Sequence, residues 1–66
     1  MQLVINGESF EAADESSIAI LVTMLQLDQQ RLAIEVNGEI VPRGLWSERR
    51  LVTADRVEIV RAIGGG

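Results

Sequence analysis

Cysteine, histidine, tyrosine and lysine are all missing from this 66-residue chain, and proline, tryptophan and phenylalanine occur once each. Without cysteine there is no disulfide framework to support so small a core. Without cysteine or histidine the usual zinc-ligand sets cannot be assembled, so no metal is expected. The four missing residue types are also the commonest nucleophiles and general bases near neutral pH, which argues against an independent enzyme with catalytic groups of its own. All six basic residues are arginine, so the one amine in the chain is the N-terminus of Met1. No phosphate-binding loop is present, because the one glycine cluster is terminal and opens no helix. Asp14, Glu15, Glu35 and Glu39 read as solvated charges of turns and strand faces.

Long apolar runs are missing as well. The most hydrophobic stretch, residues 18–27, is half the length of a membrane helix and contains Thr23 and Gln26. Met1-Gln2 offers no basic leader ahead of the apolar residues. A formal charge of −4 and a pI near 4.5 disfavour nucleic acid or an anionic membrane surface as partner. These features lead us to expect a soluble, cytoplasmic protein, monomeric when free, whose partners present basic patches.

What is present is aliphatic: 47% of residues are hydrophobic and only Phe10 and Trp46 are aromatic, so the core of this one domain must be Ile, Leu and Val. Residues 2–6 are rich in β-branched side chains and run into Gly7, which predicts a strand entering a turn. Residues 9–12 return beside it. The period then changes: Ile18, Leu21, Val22 and Leu25 form a helical stripe, with Ser16 or Ser17 as cap and Asp14 and Glu15 placing negative charge near its positive end. No glycine marks the end of this helix, which is expected near Asp28. Ile20 and Met24 make a second stripe, read as burial over a wide arc or else as a partner contact. Residues 33–36 alternate as a half-buried strand, and Asn37-Gly38 signals a two-residue hairpin. Ile40-Val41 pairs back until Pro42, which cannot donate to the ladder. Residues 44–50 are irregular, anchored on the core by Trp46. A turn at Ala54-Asp55 leads into a clear strand over residues 56–61.

The order predicts an α+β domain with one helix across a mixed sheet of four to five strands, the first and last long strands adjacent at its centre. Strand alternation puts Leu3, Ile5, Val57 and Ile59 toward the helix. Val4 and Val60 then lie together on the open face, a small apolar patch that could receive a partner, with Ile63 beyond it. The domain is expected to span 1–63, followed by a tail of 64–66.

Gly64-Gly65-Gly66 is the unusual feature. Such an end is either a flexible terminus without a role or a thread, whose lack of side chains lets it pass through a narrow channel. From Ile63 it reaches roughly 10 Å when extended, which suffices to present the Gly66 carboxylate in another protein's active site.

The chain resembles the ThiS family of sulfur carriers of thiamin (thiazole) biosynthesis. The resemblance rests on Met1-Gln2-Leu3, on residues 36–43 (VNGEIVPR) followed by Trp46, on the strand over 55–63 and on the glycine end. Three glycines stand where the minimal pattern has two, and Ala54 stands where a glycine often precedes the turn aspartate. The resemblance implies a ubiquitin-like β-grasp fold and a carrier cycle. In that cycle an adenylyltransferase of the ubiquitin-activating type consumes ATP to convert the Gly66 carboxylate into an acyl-adenylate. A persulfide donor then yields a thiocarboxylate, and thiazole synthase takes the sulfur. Gly64 and Gly65 would thread into the partners' active sites, and the carrier itself would bind no cofactor. Related alternatives are a molybdopterin-synthase-type carrier, a ubiquitin-like protein modifier, and an interaction module without terminal chemistry; the Pro42-Arg43 to Trp46 segment favours thiamin.

Overall fold

In the computed structural model, which describes residues 1–61, five strands, one α-helix and one 3-10 turn follow each other along the chain. They are β1 (Gln2–Ile5), β2 (Glu8–Glu11), α1 (Ile18–Met24), β3 (Leu32–Val36), β4 (Glu39–Ile40), a 3-10 turn at Arg43–Leu45, and β5 (Arg56–Arg61). The sheet order is β2-β1-β5-β3-β4. β1 and β5 are parallel, and every other pair is antiparallel. The first and last strands are therefore central neighbours, as the sequence predicts. Among the described residues no helix is long and apolar enough to cross a membrane.

Two Asn-Gly pairs make the hairpins. Asn6-Gly7 joins β1 to β2 and Asn37-Gly38 joins β3 to β4, with all four residues at positive φ, as the mirror-image turn that matches strand twist requires. The core is aliphatic, built on Leu3, Ile18, Leu21, Val22, Ile34, Val36, Leu51 and Val57 together with Trp46. Alternation places Leu3 and Val57 inward as expected, with Ile5 and Ile59 partly buried against the same core.

The helix is shorter and narrower than its sequence suggests. Ser17 is its cap, accepting from the Ile20 N–H at 3.1 Å. The neighbouring N–H groups of Ile18 and Ala19 are taken by the carbonyls of Arg49 and Trp46, each at 3.0 Å, so the irregular segment closes the helix start. Asp14 and Glu15 do not lie in the first turn; Asp14 instead accepts from the Met1 ammonium. The helix stops at Met24 rather than near Asp28. Gln26 takes a left-handed φ of 61°, and Leu27 and Gln26 donate back to Val22 and Thr23. That is the C-terminal bonding pattern usually built on glycine, so its sequence signal was missing. Burial over a wide arc does not occur: Ile20 and Met24 are 52% and 46% exposed.

Ala54 also adopts a left-handed conformation, at φ 75°, which costs an L-residue about 1–2 kcal/mol. Ala54→Gly should relieve that strain and give back part of the gain as unfolded-chain entropy. The expected net stabilisation is about 0.5–1 kcal/mol, read as a higher urea midpoint at unchanged slope. An unchanged or lower midpoint would show that the turn is not strained.

Candidate functional site

Gly64, Gly65 and Gly66, the threading and modified residues expected from sequence, lie outside the described residues, as do Ile63 and the 63/64 domain boundary. What the structure positions is the strand that leads to them. β5 is the centre of the sheet, and both Asn-Gly turns hold it through side chains. Asn6 brackets Ile59: its Oδ1 accepts from the Ile59 N–H at 2.7 Å and its Nδ2 donates to the Ile59 carbonyl at 3.2 Å. The last residue pair of the β1–β5 ladder is Ile5 with Val57, and the Asn6 N–H still donates to the Val57 carbonyl at 2.8 Å, so the Asn6 side chain carries the pairing one step further to Ile59. On the other edge Asn37 Oδ1 accepts from the Arg56 N–H at 2.9 Å, and its Nδ2 donates to Asp55 Oδ1, also at 2.9 Å.

Asp55 is 5% exposed. Its second oxygen accepts from the Val52 N–H at 2.9 Å, which fixes the turn from which β5 departs. The sequence presents these asparagines only as a strand end and a turn former, and Asp55 only as part of a turn. The recurrence of Asn-Gly was the available signal, but it does not say which backbone the carboxamides bind.

The open face of the sheet carries Val4, Arg56, Glu58, Val60, Ala33, Glu35 and Ile40. Val4 and Val60 share this face but do not lie together as expected. The register sets Val4 beside Arg56, and Val60 is four residues further along β5, opposite Ala33. The reason is parallel pairing, which aligns the starts of the two strands and leaves the end of β5 past the end of β1. Val60 and Ile40 are 61% and 70% exposed, while Val4 is half-buried. Glu35 and Glu58 stand directly opposite each other between them, and neither has an ion-pair partner among the described residues. Like charges in that position are unfavourable for the sheet.

At the far end of the molecule the Met1 ammonium has three acceptors: Glu11 Oε2 at 2.9 Å, the Ala12 carbonyl at 2.6 Å and Asp14 Oδ1 at 3.0 Å. The hydrogen bond to Glu11, then that to Asp14, holds the amine's pKa above its usual range. No grouping of acidic side chains among the described residues is arranged to hold a metal ion.

The ThiS family model matches residues 3–66. Thiazole synthase of Paramagnetospirillum magneticum is 38% identical over all 66 residues, which span 20% of that longer protein. The sulfur carrier protein ThiS of Escherichia coli is 27% identical over the full length of both chains. The crystal structure of the thiamine biosynthesis protein ThiS from Geobacter metallireducens superposes with a TM-score of 0.87 at 28% identity, covering all of both chains. The five-stranded mixed sheet crossed by one helix is thus the β-grasp of these proteins, and the chain belongs to the ThiS family.

Proposed function

We propose that this protein is a sulfur carrier of thiamin biosynthesis that holds sulfur as a thiocarboxylate on Gly66 and delivers it to thiazole synthase. The observation that carries this reading is the family match, which runs through the glycine end to residue 66. A thiazole synthase that contains a segment similar to the whole of this chain supports the choice of acceptor. The position of β5, a central strand held on both edges, suits it as a firm base for a reactive end.

The chemistry follows from the carboxylate. A carboxylate is a poor electrophile, so one Gly66 oxygen attacks the α-phosphorus of ATP on an adenylyltransferase and pyrophosphate leaves. The terminal sulfur of a persulfide then attacks the acyl carbon, forming a C–S bond and expelling AMP. A thiol reduces the resulting acyl disulfide with two electrons and is itself oxidised, which releases the thiocarboxylate. Gly66 leaves the acyl carbon unhindered, and Gly64 and Gly65 allow backbone to enter a narrow channel. The carrier body is recognised on its open face, where Val60 rather than Val4 is the accessible valine, and Ile63 is a further candidate contact by its place in the sequence. ATP is consumed by the partner and not held by the carrier, which works in the cytoplasm as a co-substrate rather than a catalyst.

Incubation with the cognate adenylyltransferase, ATP, a persulfide donor and a thiol should raise the intact mass by the difference between sulfur and oxygen. Adding one residue after Gly66 locks its carbonyl in an amide and should abolish the mass change. Removing Gly66 leaves Gly65 terminal but shortens the reach, and should slow the reaction instead. Thiocarboxylation of the extended protein at its new end would sink the assignment to Gly66.

A further inference from the structure

An acyl-adenylate reacts with amines as well as with sulfur, so a carrier that is activated in this way needs its own amines kept out of reach. This chain has no lysine, and the amine among the described residues is on Met1. We infer that Glu11 and Asp14, with the carbonyl of Ala12, set the nucleophile specificity of the carrier reaction by withholding the Met1 amine from acylation. This rests on the proposed activation of Gly66. The reaction withheld is attack of a neutral amine nitrogen on the acyl carbon. A C–N bond forms, the C–O bond to phosphate breaks with loss of AMP, and one proton passes from nitrogen to water. The product is an amide that no thiol can cleave, so each such event would remove two carriers from the cycle.

The fold meets this hazard in two ways. The parallel pairing of β1 with β5 sets Val4 level with Arg56. Met1 and Arg61 are therefore at opposite ends of the sheet, roughly 26 Å apart along the strands. The five residues after Arg61 extend to about 17 Å at most, which keeps a chain from reaching its own amine. Attack by another copy remains, and there the three acceptors act. An ammonium has three protons, and Glu11, Ala12 and Asp14 take one each. To become a nucleophile the nitrogen must lose a proton, give up one of these bonds and leave its lone pair facing an acceptor oxygen. Glu11 is itself steadied by the Gln2 side chain, whose Nε2 donates to Oε1 at 2.6 Å. Glu11 and Asp14 are the charged groups that face the amine among the described residues, and both are largely exposed, so salt weakens the effect.

The lysine-free sequence makes the test direct, because a single acetyl group reports on Met1 alone. The folded protein should react with acetyl N-hydroxysuccinimide ester about fivefold more slowly than a Met-Gln-Leu peptide at neutral pH, the scale of two exposed ion pairs. The double variant Glu11→Gln with Asp14→Asn should approach the peptide rate, as should the wild-type protein in denaturant or, in part, in high salt. A wild-type rate equal to that of the peptide, or a folded double variant as slow as the wild type, would overturn the proposal. The second arm supplies adenylyltransferase and ATP without a sulfur donor. There the double variant should accumulate a thiol-resistant dimer while the wild type does not. Pyrophosphate release from the variant without dimer would overturn the specificity role. No pyrophosphate release from either protein would count against activation of Gly66, while the acetylation arm still decides whether the amine is shielded.

Discussion

Trp46→Ala is expected to destabilise the domain by about 3–5 kcal/mol. Marginal stability of about 0.05–0.15 kcal/mol per residue leaves a chain of this size little beyond that. Three interactions end together. The indole is 4% exposed and belongs to the aliphatic core. Its Nε1 donates to the Val41 carbonyl at 2.8 Å, which ties the segment after Pro42 to the end of β4. The Arg43 guanidinium lies 4.4 Å from the ring centroid, close enough for a cation–π contact. The loss should spread to the helix, because the Trp46 backbone carbonyl accepts from the Ala19 N–H and loses its register when the side chain no longer anchors it. Urea denaturation followed by circular dichroism should show a transition beginning with the first addition of urea. A Trp46→Phe variant, which keeps most of the buried area but not the hydrogen bond, should fall between. A normal midpoint for Trp46→Ala would mean that the segment does not depend on its anchor.

The second large effect is expected at Asp55. Its carboxylate accepts from Asn37 Nδ2 and from the Val52 N–H, and hydrogen bonds to a charged group are worth about 1.5–3 kcal/mol each. Asp55→Ala removes both and leaves the donors facing a nearly closed site, for a loss of about 3 kcal/mol or more. Asp55→Asn separates the two bonds. The Asn37 carboxamide is already oriented, since its Oδ1 accepts from Arg56, so it can offer only its amino group. The two donors lie against different oxygens of Asp55, so an asparagine there meets one of them with its own NH2 group, and the asparagine variant should lose about half as much as the alanine variant. Amide hydrogen exchange should locate the damage at Val52 and Arg56 rather than in β2. Equal destabilisation by both substitutions would show that charge, and not the number of acceptors, is what matters there.

The sequence makes the order of the strands legible because residues 2–5 and 56–61 are aliphatic runs set off by turn signals, residues 33–36 alternate, and the Asn-Gly pair after Val36 has one dominant meaning. Trp46 was legible too, since an isolated large aromatic in an irregular segment of a small domain has little other use. The helix end was hidden because Gln26 adopts the conformation that a glycine would have advertised. The surface of α1 was misjudged because Ile20 and Met24 are apolar at helical spacing yet exposed; periodicity reports a stripe, not how far the neighbouring strands extend beneath it. The open face was half legible. Alternation gives the face of each valine, but their separation depends on the β1–β5 register, to which side-chain pattern is blind. Asp55 and the two asparagines were not legible as a group, because the asparagines bind Ile59, Arg56 and Asp55, which lie far from them in sequence.

The asparagine turns also bear on how the molecule ages. Asn followed by Gly is the sequence most open to attack by the next peptide nitrogen on the side-chain amide, which converts the residue to aspartate or isoaspartate. Here both carboxamides are held by hydrogen bonds to β5, so the attack must wait for a turn to open. Once it occurs, the damage would not stay local. Position 6 loses the donor that binds Ile59, and position 37 gains a negative charge where Asp55 already has one. An old molecule would thus loosen first around β5, the strand that leads to the glycine end of the sequence, and deamidation would act as a clock on the protein rather than as neutral surface wear.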